Sequence, residues 1–133
     1  MEEILKGKSF DAQPEEVQNN LTKLLDVANQ LREEWGKPMV CTSGLRDWDD
    51  MLRIYKAKGI TDESKIPHKS KHLIGAAMDI SDPQLAITQW LQNNPDILED
   101  LNIFCEQGNR NWLHVQILPF GSYTQEGTRW FKP

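Results

Sequence analysis

Two histidines and an aspartate are the residues of this sequence best suited to chemistry. His72 and Asp79 stand seven residues apart in SKHLIGAAMD (residues 70–79), and His114 follows 35 residues after Asp79 in NWLHV (residues 111–115). Two imidazoles and one carboxylate form a donor set that suits zinc and leaves a fourth position for water, the feature that separates a catalytic zinc from a structural one. Gly75, Ala76 and Ala77 are small enough to allow close backbone approach between the first two donors. His114 lies between Leu113 and Val115, so on a strand its side chain points opposite to theirs, and a polar group there needs a partner or a metal. Each residue alone has a plainer reading: a lone histidine is more often satisfied in the core, and Asp79, with ISDP after it, reads as a turn or cap residue. Together they mean more, and spacing alone leaves the metal and the plainer readings both open.

The elements that must position these donors are legible from periodicity. Residues 14–35 form the clearest helix, with Val17, Leu21, Leu24, Ala28, Leu31 and Trp35 on one apolar stripe. Pro14 suits the first helical position, Glu15 and Glu16 suit the positive end of the dipole, and Gly36 with Pro38 stops the helix. Residues 38–44 read as a short strand, 48–58 as a helix ended by Gly59, 60–71 as a polar loop, and 76–80 as a buried strand. A third helix is expected over residues 83–93, with Leu85, Trp90 and Leu91 inward, and a short helical turn over 95–100. Residues 103–106 and 112–118 read as two strands joined through the turn formers GNRN, a hairpin. The tail aromatics Phe120, Tyr123, Trp130 and Phe131 are expected to pack over the core. This order predicts one α+β domain over residues 1–133 with a small, mainly antiparallel sheet and packed helices.

Bulk properties narrow the function. A chain of 133 residues can bury a core without staples. A formal net charge of -5 argues against a nucleic-acid binder that works by neutralising phosphates. No run is long enough to span a membrane, and MEEILKGKSF lacks the apolar stretch of a secretory signal. The expectation is a monomer kept in the cytoplasm until something releases it. Cys41 and Cys105 sit in apolar runs and read as buried free thiols.

SKHLIGAAMD resembles the SxHxxGxAxD signature of the zinc D-alanyl-D-alanine peptidases, which share a superfamily with the hedgehog signalling domain and the lysostaphin-type peptidases. TSGLRD (residues 42–47) resembles that family's SG-aromatic-R segment, with Leu45 in the aromatic place, and NWLHV resembles the segment carrying the last zinc ligand. The motifs stand in family order, and the resemblance covers roughly residues 14 to 118. It implies a hedgehog/DD-peptidase-like fold, one zinc per chain on His72, Asp79 and His114, and a substrate-engaging arginine at Arg46. A guanidinium there can stabilise an oxyanion or grip a carboxylate; the alternative is a surface ion pair with Asp47 or Asp49. Ser43 and Ser70 match motif serines and are expected to orient ligands or loop. His68 sits in the loop and reads as a rim or substrate contact. Trp112, two residues from His114 on the same strand face, would wall the cleft or pack in the core.

The general base is the open point. Many family members place an acid three residues before the last histidine, where this chain has Asn111, which cannot take a proton from water. Other relatives carry a glutamate further upstream, and Glu106 fits that place. Hairpin register decides its orientation. With Glu106 opposite Trp112 and Phe104 opposite His114, Glu106 faces the metal; with Glu106 opposite Asn111, it points away.

The resemblance therefore implies a zinc metallopeptidase that cuts peptidoglycan stem peptides, of L-alanyl-D-glutamate or D-alanyl-D-alanine type, similar to single-domain bacteriophage endolysins. The alternative is a non-catalytic, zinc-containing cell-wall or virion binding module on the same scaffold.

Overall fold

The structure, a computed structural model, describes residues 1–119 and 129–131. It is α+β: five helices and a five-stranded mixed sheet among the described residues. The chain begins with α1 (Glu2–Leu5) and α2 (Glu15–Trp35), then β1 (Cys41–Ser43) and α3 (Trp48–Ala57). Two 3₁₀ turns, Glu63–Lys65 and Lys71–Ile74, lead into β2 (Ala77–Asp82). After it come α4 (Ala86–Asn93), α5 (Pro95–Leu101), β3 (Phe104–Glu106), β4 (Asn111–Gln116) and β5 (Trp130–Phe131). The strand order is β1-β2-β4-β3-β5, antiparallel except for the parallel β3–β5 pair.

The stripe on α2 is buried as its spacing requires: Leu21, Leu24 and Leu31 are fully enclosed, with Val17, Val27 and Ala28 beside them. They join one core with Met78 and Ile80 of β2 and Leu113 and Val115 of β4. Each enclosed leucine contributes roughly 1.5–3 kcal/mol. Alternation then fixes the other face of the sheet: Asp79 on β2 and Trp112, His114 and Gln116 on β4 point away from that core. Both cysteines are buried free thiols, and burial pushes both up in pKa. No helix of the described residues is long and apolar enough to cross a membrane.

Three expectations need correction, and one element was not expected at all. Residues 2–5 form a helix that the short, charged N-terminal segment did not signal. The first strand is only three residues long. The helix expected from Pro83 starts at Ala86, because Leu85 takes a left-handed conformation (φ 57°) and the buried Asp82 carboxylate accepts from the Ile87 and Thr88 backbone N–H groups. The hairpin adopts neither register considered: Phe104 opposes Gln116 and Cys105 opposes Val115. Left-handed Gly108 (φ 81°) and Asn111 (φ 70°) open a wider turn. The shift is two residues from the metal-facing register, so the face of Glu106 is kept. Of the tail aromatics, Phe131 is buried and Trp130 packs on the core, while Phe120 and Tyr123 lie outside the described residues.

Candidate metal centre

Asp79 and His114 are directly opposed on neighbouring antiparallel strands, which brings their side chains together on the cleft face. His72 arrives from the 3₁₀ turn that precedes β2. Ser70 caps this turn by accepting from the His72 backbone N–H at 3.3 Å. Gly75 ends it at φ 71°, and a Cβ there would lie 2.9 Å from Cγ of Leu21, so the turn packs on α2 only with glycine at this place. Asn20 on α2 donates to the Ile74 carbonyl at 2.9 Å and fixes the same turn.

His72, Asp79 and His114 each offer one donor atom, and these atoms lie within 4.8 Å of one another. Oδ1 of Asp79 stands 3.4 Å from Nε2 of His72 and 3.0 Å from Nδ1 of His114. Donors bound tetrahedrally at ~2.0–2.1 Å lie about 3.3 Å apart, and the two Asp79 distances are close to this, within a group that spans up to 4.8 Å. The far side of each ring decides the matter further. Nδ1 of His72 is 2.8 Å from the Gly44 carbonyl oxygen, which can only accept. Nε2 of His114 is 2.9 Å from Oε1 of Gln116, whose amide is oriented by donating to the Leu118 carbonyl at 2.7 Å. Each far nitrogen faces an acceptor that its ring proton can satisfy, so in the neutral rings each near nitrogen is the one left to bind a cation. Three electron-rich donors converging in a buried place require a proton or a cation between them. The outer hydrogen bonds are those that orient histidine ligands in metal sites. The group can hold a metal ion, and two nitrogens with one oxygen suit zinc or another first-row divalent ion.

The electrostatics agree with the geometry. Burial pushes the Asp79 carboxyl up, but His114 and His72 outweigh it and hold it far below the usual carboxylate range. Burial lowers the His72 imidazole, and Asp79 only partly offsets this. Burial also lowers His114, but Asp79, Gln116 and the charge of Glu106 leave it raised.

The triad lies in a cleft of about 1030 Å³ whose lining includes Ser43, Arg46, His68, Ser70, Glu106 and Trp112. Arg46 reaches Oδ2 of Asp79 with Nη2 at 3.4 Å, while its Nε is buried without a hydrogen-bond partner. Its expected alternative partner Asp47 instead caps α3, forming a capping box with Asp50. An unpartnered buried N–H beside the metal donors is a donor awaiting an oxygen. Glu106, at the end of β3, lies where the β3–β4 register, carried one pair further, meets His114. Asn111 is exposed at the far end of β4 opposite Asp82 and does not line the cleft; its positive φ suits asparagine better than most residues. His68 is not brought to the triad: it stacks on Trp48 with ring centroids 4.6 Å apart and holds the cleft wall. Trp112 is 40% exposed, so it walls the cleft and does not fill the core. Sequence reasoning missed Gln116 and Gly44. Gln116 was within reach, being two residues from His114 on the same strand face; the Gly44 carbonyl carries no side-chain signal.

Comparison with family models, with curated proteins and with solved structures found no match.

Proposed function

We propose that this protein is a zinc-dependent peptidase that hydrolyses peptide bonds in peptidoglycan stem peptides, on a hedgehog/DD-peptidase-like fold. The observation that carries the reading is the convergence of His72, Asp79 and His114 donors at one end of a cleft that also holds a carboxylate, Glu106, and an unpartnered guanidinium N–H, Arg46. The residue motifs add the substrate class. His72 Nε2, Asp79 Oδ1 and His114 Nδ1 would hold the zinc. Bound there, zinc supplies Lewis acidity and a nucleophilic water at neutral pH.

The chain's own groups do the rest. The Glu106 carboxylate takes a proton from the attacking water and delivers it to the departing amine nitrogen, so the peptide bond breaks to a free carboxylate and a free amine. Arg46 donates to the carbonyl oxygen as it gains negative charge, and it is held for this by Asp79 on its Nη2 side. Trp112 and His68, the latter backed by the Trp48 ring, wall the cleft. A domain of this kind, acting on the wall after release from the producing cell, would suit a phage endolysin.

Digestion of defined muropeptides, with products identified by mass, tests the reading. A new L-alanyl or D-alanyl terminus is expected with the zinc-loaded protein and none after chelation. Intact muropeptides with the zinc-loaded protein, together with retained binding to purified walls, would support the binding-module alternative.

A further inference from the structure

We propose that the cleft takes an acidic peptide, with Lys69 and Lys71, supported by Lys58, holding carboxylates beyond the scissile bond. This deepens the peptidase reading and rests on it only for where the peptide is cut.

The charge of the cleft is opposite to that of the molecule. The chain has 20 acidic and 15 basic residues. Yet the cleft is lined by Lys6 and Lys8, by Arg53 of α3 and Lys58 just after it, and by Lys69 and Lys71, in addition to Arg46, against only three carboxylates, Asp50, Asp79 and Glu106. Several of these cations are engaged. Lys6 donates to the Cys41 carbonyl at 2.8 Å, and Lys8 and Arg53 share the single carboxylate of Asp50 at 2.6 and 3.0 Å. Lys58 sits 4.8 Å above the Tyr55 ring, which leaves its N–H donors available. Lys69, which is exposed, and Lys71, which is half-buried, have no side-chain hydrogen bond or ion pair among the described residues. Ammonium groups without a protein partner, in a cleft lined by more cations than carboxylates, can take an anion.

The backbone that carries the two lysines is also held in place. They flank Ser70, whose hydroxyl caps the turn carrying His72, and the preceding loop is pinned by the Trp48–His68 stack and by Asp62 accepting from the Ser64 backbone at 3.0 Å. A cationic cleft in an anionic protein concentrates and orients small anions. A long polyanion would meet the acidic surface outside the cleft, whereas a short acidic peptide would not. The volume, about 1030 Å³, lies at the top of the ~300–1,000 Å³ range of small-molecule pockets, which suits an oligomer of several residues.

The test is calorimetric binding to the zinc-loaded Glu106→Gln protein, in which cleavage does not intervene. The ligands are a stem tetrapeptide with a free glutamate α-carboxylate and the same peptide with that carboxylate amidated. The free acid should bind about fivefold tighter or more at low salt, with the gap narrowing at high salt. The Lys69→Gln/Lys71→Gln double variant should bring the two peptides within about twofold, and Lys69→Glu/Lys71→Glu should reverse their order. Equal binding of the two peptides, an unchanged gap in the double variants, or tighter binding of a short single-stranded oligonucleotide would overturn the proposal. Carboxylate discrimination without cleavage by the unmodified protein would sink the peptidase reading alone; cleavage without discrimination would sink this one alone.

Discussion

Gln116 does for His114 what the Gly44 carbonyl does for His72: it fixes which ring nitrogen is free to bind a metal. Gln116→Leu keeps the volume and removes the acceptor, so metal affinity should fall by ~10–100-fold while the fold persists, measurable by competition with a chromophoric chelator. Glu106 belongs to a different step. Glu106→Gln should keep one metal per chain yet slow wall lysis by ~10²–10⁴-fold; lysis at the unmodified rate would remove Glu106 from the mechanism. Asp50 offers a pH test away from the metal. Burial pushes its carboxyl up, but hydrogen bonds from Lys8, from the Asp47 backbone and from Arg53 hold it well below its ordinary value of 3.8. Its contribution to stability is therefore complete above that value and is lost as pH falls below it toward the folded pKa. Asp50→Asn should lower Tm near neutral pH and flatten the Tm decline below about pH 4. The donors themselves were legible in the sequence, because histidine and aspartate at a fixed spacing carry their chemistry in the side chain. The Gly44 carbonyl was not, because a backbone group contributes nothing that composition or spacing can show.

The elements hold the donors through a few close approaches. Gly44 is the tightest. A Cβ on it would lie 2.2 Å from the Ile4 carbonyl oxygen, which already accepts from the Leu45 backbone N–H at 2.8 Å. The peptide that orients His72 is thus backed by α1, which is tied to the end of α2 by the Glu3–Arg32 ion pair. Gly44→Ala should displace α1, lower Tm by several degrees and weaken metal binding together. Unchanged metal affinity with lowered Tm would show that α1 and the metal site are independent. Long elements with a clean period, such as α2, could be read from sequence because their burial is spread over many residues. α1, the three-residue β1 and the start of α4 could not, since α1 is fixed by tertiary contacts and the start of α4 by a single buried cap, Asp82. The face of Glu106 stood open between two hairpin registers, because the register depended on two left-handed turn residues, Gly108 and Asn111.

At the scale of the whole molecule, one face of a mixed sheet builds the core with α2 and the other presents the metal donors to a cationic cleft. If the proposed zinc is bound, chelation should lower Tm as well as activity, because the buried, convergent donors would lose the cation that balances them. The most direct measurement is the release of new amino groups from purified cell walls by one preparation, assayed metal-free, with one equivalent of zinc added back, and with zinc added to the His114→Ala variant. A zinc peptidase releases amines only in the second sample, with the activity saturating at one zinc per chain. Equal release in the metal-free sample or from the variant, or no release in any of the three, would contradict it.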